Sequence, residues 1–253
     1  MTNLIGLAVI LGIIQGLTEF LPISSSGHLV ILQSFFPQIQ ANAIAFDLIL
    51  HLGTVSALII YFFKDFKQIL ASKKLILNVI LATALTAILV LPLQNLVENS
   101  FRNPKFAGLM LIVTGLILYL AGRKTNNNTE EVDYKKSCLI GLGQALAVLP
   151  GLSRSGTTIS FGIFSGLKSK EAIRFSFLLA IPTILGASLL EIKELTSLSS
   201  IMSLPCIFGF FSSLIFGLIA IKWLMKILTL NQKNLIYFAV YCFAAGILTI
   251  ILV

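Results

Sequence analysis

The chain has 253 residues, of which 57% are hydrophobic and 11% are charged, and its mean hydropathy is +0.98. Soluble domains carry about 25% charged residues, so this composition excludes an ordinary water-soluble domain. The net charge of +8 does not indicate nucleic-acid binding, because the lysines lie in short loops between apolar segments, as is typical of membrane proteins. Cys138, Cys206 and Cys242 have no C-x-x-C spacing and are predicted to be packing residues.

Apolar stretches of about 20 residues can cross a bilayer as helices. Two regions of the chain, about 4–36 and 137–167, are apolar but are interrupted by Pro, Gly and Ser at 21–27 and 149–156. Irregular backbone at membrane depth requires partners from protein or a wet cavity, so each region is predicted to be a re-entrant helix–loop–helix pair. Six stretches are predicted to be full transmembrane helices: about 44–62, 75–94, 105–122, 172–190, 204–224 and 234–252.

The two halves of the chain share a register with a constant offset of 129 residues. Each half contains one re-entrant pair and three full spans, and because three is odd, the second half must insert upside down relative to the first. This predicts an all-α polytopic membrane protein with an inverted-topology repeat, in a single membrane domain over 1–253. Its halves are about 1–124 and 134–253, joined by the polar linker 125–133. The matching positions are Gly12 and Gln15 with Gly141 and Gln144, Ser24–Gly27 with Ser153–Gly156, and Phe46 and Thr54 with Phe175 and Thr183.

The charged loops predict the orientation of the chain. Fourteen Lys and Arg residues fall on one side of the predicted spans, while Arg102, Lys105 and Lys193 fall on the other. Cationic loops mark the cytoplasmic side, so both termini are predicted to lie outside the cytoplasm.

The first polar segment combines a carboxylate with hydroxyl groups. Gln15 and Glu19 share one helix face, and a carboxylate inside an apolar segment indicates a functional site, although a structural hydrogen bond between half-helices would also explain it. The run Ser24-Ser25-Ser26-Gly27-His28 starts the second half-helix, whose free N–H groups suit an anion. A serine hydroxyl could attack phosphorus, with the His28 imidazole as acid or base.

The second polar segment supplies Arg154, the one arginine predicted to lie within the membrane. A guanidinium keeps its charge and matches phosphate oxygens with paired donors. The alternative is a purely structural ion pair with Glu19. Hydroxyl and N–H groups surround Arg154, from Ser153, Ser155, Gly156, Thr157 and Thr158.

Two other sets of polar residues are predicted to lie outside the site. Asp47 and His51 are spaced i, i+4 in the next span, which is more typical of a packing hydrogen bond than of catalysis. The cluster Lys168, Lys170, Glu171 and Arg174 is predicted to be solvated.

The segments Gln15–His28 and Pro150–Thr158 resemble the paired motifs of bacterial undecaprenyl-diphosphate phosphatases, the bacitracin-resistance family. They match the pattern (Glu/Gln)-x-x-x-Glu followed by Pro-Gly-x-Ser-Arg-Ser-x-x-Thr, and the resemblance covers essentially the whole chain. Gln15 is the less acidic option at its position, which weakens any mechanism that needs two carboxylates there.

The resemblance implies hydrolysis of undecaprenyl diphosphate to the monophosphate, which recycles the lipid carrier of cell-wall synthesis. It also implies an inner-membrane enzyme that acts at the outer leaflet with a divalent cation, Mg²⁺ or Ca²⁺, and it places Glu19, Ser25, His28 and Arg154 at the core of the site. In this hypothesis Ser25 or water attacks the terminal phosphorus, His28 is the acid/base, and Glu19 orients His28 or holds the metal. The predicted substrate-binding residues are Gln15, Ser24, Ser26, Gly27, Ser153, Ser155, Gly156 and Thr158.

Two alternatives stay open. An inverted-repeat lipid transporter or flippase could bind polyprenyl phosphates with the same loops and not hydrolyse them, because fold alone does not define function. The other membrane lipid phosphatase family also uses a Ser-Gly-His segment, but it needs a histidine downstream of the arginine, and none follows Arg154. Membrane lipid is an expected partner, nucleic acid is not, and a homodimer is left open.

Overall fold

The computed structural model describes residues 2–35, 43–93, 103–125, 129–192 and 203–253. Within these ranges the chain is helical, and its only β-type pairing is an isolated bridge between Thr129 and Leu167. The α-helices are α1 Thr2–Phe20, α2 Ser25–Phe35, α3 Ala43–Phe62, α4 Phe66–Ala71, α5 Lys73–Val90, α6 Pro104–Arg123, α7 Tyr134–Leu146, α8 Arg154–Phe164, α9 Ser169–Ile192, α10 Leu204–Leu230 and α11 Leu235–Leu252.

Six of these helices, α3, α5, α6, α9, α10 and α11, are long and apolar enough to cross a membrane. They confirm the six predicted spans and the all-helical class. The two interrupted regions form the helix pairs α1–α2 and α7–α8, and each pair is joined by a short turn at the predicted interruption. The re-entrant path of these pairs and the inverted repeat stay predictions.

Helix α10 extends to Leu230, six residues beyond the predicted end at 224. Lys222 and Lys226 are among the fourteen cationic residues that the sequence analysis counted on one side of the predicted spans, and both are exposed on the surface of this helix. Ile221, Leu224 and Leu228 are buried on the opposite face. This spacing is that of an amphipathic helix, so the lysines mark one face of α10 and not its end.

The basic helix ends gather at one end of the bundle. Lys74 at the start of α5 forms an ion pair with Glu131 of the linker, and Lys168 pairs with Glu130. The side chain of Gln232 donates hydrogen bonds to the carbonyls of Ala121 and Lys124. These contacts bring the loops after α3, α6, α8 and α10 together, as the charge distribution predicted. Arg102 and Lys193, predicted for the opposite side, lie outside the described residues.

The two halves pack through exchanged partners. Helix α1 has its most extensive contact with α10, while α7, which is offset from α1 by 129 residues, packs mainly on α5. Glycines make these contacts close: a Cβ atom on Gly16 would lie 2.6 Å from the Ser213 carbonyl oxygen, and one on Gly141 would lie 2.9 Å from that of Ala82. Backbone atoms are therefore in close contact both between α1 and α10 and between α7 and α5, and these contacts fix the depth of α1 and α7 in the bundle.

We predict that Gly16→Ala lowers the thermal stability of the protein in detergent, whereas Gly6→Ala on the same helix does not. Alanine is the better helix former by about 1 kcal/mol, and Gly6 has open space around it. At Gly16 the new methyl group would push α1 away from α10, and such overpacking costs about 1–3 kcal/mol. Equal melting temperatures for the two variants would contradict this account of the α1–α10 contact.

Candidate functional site

The two turns, residues 21–24 and 147–153, meet inside the bundle. A Cβ atom on Gly27 would lie 2.9 Å from the Cα atom of Gly151, and one on Gly156 would lie 3.3 Å from the Cβ atom of Pro22. These two contacts are related by the offset of 129 residues. The Ser155 hydroxyl donates a hydrogen bond of 3.0 Å to the Leu21 carbonyl. The predicted meeting of the two polar segments is therefore present in the structure.

The same cap starts the second helix of each pair. The Ser24 hydroxyl accepts the Gly27 N–H at 3.2 Å, and the Ser153 hydroxyl accepts the Gly156 N–H at 3.1 Å. A serine that satisfies an N–H group of the first turn in this way is a favourable start for a helix. Ser25 and Ser26 at the start of α2 and Arg154 at the start of α8 line one cavity, so the positive ends of both helix dipoles lie at it.

Thr114 of α6 fixes the backbone of the second turn. Its hydroxyl donates to the Gly151 carbonyl at 3.0 Å and accepts the Ser153 N–H at 3.0 Å. Gly151 has a φ of +91°, a conformation that side chains rarely adopt. A polar threonine within an apolar span is thus explained by the backbone groups that it satisfies.

Glu19 at the end of α1 is the centre of the site and is only 6% exposed. Its Oε2 atom accepts hydrogen bonds from Ser25 Oγ at 2.6 Å and from Gln15 Nε2 at 2.9 Å. Its Oε1 atom forms an ion pair with the guanidinium of Arg154, the first residue of α8. A buried carboxylate needs such pairing, and the pairing joins the carboxylate, hydroxyl and guanidinium that the sequence predicted to lie together.

A cavity of about 150 Å³ opens beside this cluster. It is smaller than the typical pocket for a drug-sized ligand, about 300–1,000 Å³, so it suits one small polar group. The remaining wall is apolar and is formed by Ala147, Val148, Leu152 and Ile184. The polar lining residues are Glu19, Ser24, Ser25, Ser26, His51, Ser153 and Arg154.

The imidazole that faces this cavity belongs to His51, which the sequence analysis assigned to packing. His51 Nδ1 lies 2.8 Å from the backbone carbonyl of Asp47, and its Nε2 lies 3.8 Å from Glu19 Oε2. A carbonyl oxygen only accepts, so Nδ1 carries a proton. An ionisable side chain inside a predicted span is a functional candidate by default, and this signal could have identified His51.

His28 lies elsewhere, although the sequence predicted it as the acid/base. It is not among the residues that line the cavity. Its Nδ1 lies 2.7 Å from the Ser24 carbonyl, and its Nε2 lies 2.6 Å from the hydroxyl of Tyr241 on α11. The structure therefore does not bring this ring to Glu19.

Several predicted substrate-binding residues lie behind the cavity wall. Gln15 is fully buried and holds Glu19 from within α1. Thr158 shares a hydrogen bond of 2.6 Å with Ser176 of α9, and Ser155 bonds to Leu21. Gly27 and Gly156 allow the turns to approach closely. In this arrangement these residues support the site, while Ser24, Ser26 and Ser153 reach the cavity.

The residues that line the cavity show whether the predicted metal ion fits there. Among the residues that the structure describes, no three His, Cys, Asp or Glu side chains are grouped to hold a metal ion. Glu19, the predicted ligand, is the sole carboxylate in the cavity lining, and both of its oxygens already have donors, one of them cationic. Mg²⁺ prefers carboxylates together with substrate phosphates and water. The protein groups therefore do not fit a resident cation, and the cation requirement stays a prediction.

The fold and the site together define a polytopic helical membrane protein with an arginine- and hydroxyl-lined cavity suited to an anionic group. The family model for bacitracin resistance protein BacA matches residues 8–248. The chain belongs to this family.

Curated relatives match over nearly their whole length. A protein named undecaprenyl-diphosphatase from Halothermothrix orenii is 42% identical and is aligned over 96% of both chains. Proteins of the same name from Methanosphaera stadtmanae and Carboxydothermus hydrogenoformans are each 39% identical, over 97% of this chain and 96% of theirs.

We predict that Arg154→Met destabilises the folded protein and that adding Glu19→Gln restores part of the loss. Removing one partner of a buried ion pair leaves an uncompensated charge, at a cost of about 3–5 kcal/mol. The neutral amide removes that charge. Thermal unfolding of both single variants and the double variant in detergent measures the coupling between the two residues, and strictly additive changes would contradict a direct pair.

Proposed function

We propose that this protein hydrolyses undecaprenyl diphosphate to undecaprenyl phosphate and inorganic phosphate. Its membership of the BacA family and the names of its relatives support this activity. The observation that carries the proposal is the bond of 2.6 Å between Ser25 Oγ and Glu19 Oε2 beside Arg154. It combines a hydroxyl nucleophile, a proton acceptor and a fixed positive charge in one cavity. Such an activity recycles the lipid carrier for cell-wall synthesis.

In the proposed first step, the Ser25 oxygen attacks the terminal phosphorus while its proton passes to Glu19. The bond between that phosphorus and the bridging oxygen breaks, and undecaprenyl phosphate leaves. Water then hydrolyses the phosphoserine and releases inorganic phosphate. A hydroxyl within hydrogen-bond reach of a base is the arrangement that nucleophilic catalysis requires, which favours Ser25 over direct attack by water.

Arg154 and the two helix starts supply positive charge for the transferred group. Phosphoryl transfer depends mainly on positioning and on neutralising charge on the phosphate oxygens. One Arg154 nitrogen bonds Glu19, and a guanidinium has five N–H donors, so others can bind phosphate. The N–H groups at the starts of α2 and α8 add an anion site of the kind common at helix N-termini.

His51 is the side chain that we infer to transfer protons at the leaving oxygen. Its Nδ1–H is held by the Asp47 carbonyl, and Nε2 lies on the cavity side near Glu19. Nε2 is therefore the nitrogen that first takes up a proton, and the imidazolium can then pass this proton to the leaving oxygen of a group bound in the cavity. His51 thus takes the role that the sequence analysis gave to His28.

The depth of the cavity supports action from the non-cytoplasmic side. Ile184 is 15 residues from the start of α9 at the basic end, or about 22 Å at 1.5 Å per residue, and 8 residues, or about 12 Å, from its other end. His51 is likewise about 12 Å from the start of α3. With the basic end in the cytoplasm, we infer an inner-membrane enzyme with both termini outside, whose cavity takes the head group while the prenyl tail stays in lipid.

We also infer that the chain is an inverted repeat of two halves, 1–124 and 134–253. The paired contacts at Gly27 and Gly156, the matching serine caps and the exchanged packing of α1 and α7 support this arrangement. The linker 125–133 would then join two copies that insert from opposite faces. A divalent cation would have substrate oxygens as its main ligands.

We predict that purified protein releases phosphate from undecaprenyl diphosphate and that Ser25→Ala abolishes the release. Ser26→Ala is the matched control, because Ser26 also lines the cavity but shares its hydrogen bond with Ser24 and not with Glu19. Because Ser26 is a predicted substrate-binding residue, this variant should raise KM and keep most of kcat. A wild-type protein that binds the lipid and releases no phosphate would favour the transporter alternative, and an active Ser25→Ala variant would point to attack by water.

We predict that His51→Leu lowers kcat by about 100-fold or more, since acid–base groups contribute about 10²–10⁴-fold. The melting temperature in detergent should stay close to that of the wild type, because leucine fills similar space in an apolar span. Turnover of the variant at the wild-type rate would refute the proton-transfer role of His51.

A further inference from the structure

Three hydrogen-bonded groups connect α11 to Ser24, the last residue of the first turn. The Tyr241 hydroxyl lies 2.6 Å from His28 Nε2, and His28 Nδ1 lies 2.7 Å from the Ser24 carbonyl. Ser24 immediately precedes Ser25. We propose that His28 is a positioning residue, anchored by Tyr241, that holds Ser24 in the conformation aiming Ser25 at Glu19. This inference rests on the proposed function and concerns how its nucleophile is held.

The partners of His28 fix the roles of both ring nitrogens. The Ser24 carbonyl can only accept, so Nδ1 donates its proton there. In the neutral ring Nε2 then has no proton, and it accepts the Tyr241 hydroxyl. Both nitrogens are therefore occupied by protein groups, and neither belongs to the cavity lining. A ring whose two nitrogens are both held by protein groups is suited to fixing the position of the Ser24 carbonyl.

Ser24 needs such support because its backbone is strained. Its φ is +69°, and no other non-glycine residue in the described ranges has a positive φ. Left-handed backbone is unfavourable for a residue with a Cβ atom, and it persists only where the surroundings enforce it. The Ser24 carbonyl accepts both the His28 N–H at 3.3 Å and the His28 ring N–H. His28 thus contacts the strained residue twice.

The conformation of Ser24 determines where Ser25 points. The turn reverses the chain between Glu19 at the end of α1 and Ser25 at the start of α2, and it brings Ser25 Oγ to 2.6 Å from Glu19. Relaxation of Ser24 to a negative φ would rotate the following peptide and move this hydroxyl. Displacements of about 1 Å at a reacting group can cost about 100-fold in rate.

Tyr241 is placed to hold the ring from the other half of the chain. It lies in the span α11, its side chain is 45% exposed, and its ring stacks on His28 with centroids 5.7 Å apart and planes 8° apart. A phenol hydroxyl on the surface of an apolar span gains by bonding a protein group. The adjacent Cys242 donates from Sγ to the Pro22 carbonyl at 3.7 Å, so α11 contacts both the first turn and α2.

Amide substitutions of His28 separate the positioning role from acid–base catalysis. The amide nitrogen of Asn reaches about as far as Nδ1 and can donate to the Ser24 carbonyl, whereas the longer Gln places its amide near Nε2. We expect His28→Asn to keep kcat within about tenfold of the wild type, and His28→Leu and His28→Gln to lose about 100-fold, with KM little changed in all three. If His28→Asn is folded and as inactive as His28→Leu, the ring acts as acid or base and the proposal fails.

Tyr241→Phe gives a second test that does not alter His28. It removes only the hydroxyl, so kcat should fall while KM and the melting temperature stay near their wild-type values. The chain has two histidines, so ¹⁵N-histidine spectra of His51→Gln protein report His28 alone. We expect a ring protonated at Nδ1 whose Nε2 signal shifts when Tyr241→Phe is added. A ring protonated at Nε2, or a signal that does not respond, would overturn the proposal even if His28→Asn fails to fold.

These outcomes are distinct from failure of the proposed function. Wild-type protein that releases no phosphate from undecaprenyl diphosphate would refute the activity itself. Active wild-type protein together with a folded, inactive His28→Asn variant would refute only the positioning role.

Discussion

The ion pair between Glu19 and Arg154 is the constraint on which the rest of the site depends. Glu19 near the end of α1 and Arg154 at the start of α8 are 135 residues apart, and each charge would be costly alone in an apolar interior. Their pairing fixes the two turns against each other, and Ser25 and Gln15 complete the shell of the carboxylate. The pair also keeps an acceptor and a positive charge side by side in a cavity too small for a lipid tail.

Close backbone packing makes this pairing possible. Gly27 and Gly151 let the turns touch, and Gly16 lets α1 approach α10 until backbone atoms are in contact. Thr114 satisfies the backbone of the second turn from α6. The polar residue within an apolar helix is therefore explained by the backbone groups that it satisfies, since no water is present to bond them. The small residues are explained by the close approach that places the turns at a defined depth.

The sequence predicted the parts of this structure that depend on local pattern. Hydropathy located the six spans, and the spacing of Ser24 and Ser153 before glycine located both helix starts, because each signal acts within a few residues. The predicted end of α10 was wrong because exposed lysines can lie on one face of a helix as well as at its end. The direction of His28 depends on Tyr241, 213 residues away, so no local pattern could give it. His51 was assigned to packing because its spacing from Asp47 suggested a side-chain pair, whereas its ring bonds the Asp47 backbone.

The contact of Cys242 with the Pro22 carbonyl has a consequence for biogenesis. Domains form as synthesis proceeds from the N-terminus, and the turn that precedes Ser25 emerges more than 200 residues before the helix that braces it. A nascent polypeptide therefore carries its serine, glutamate and histidine through most of translation without a finished centre. The last helix of the chain must therefore be in place before Pro22 and His28 have all of their contacts.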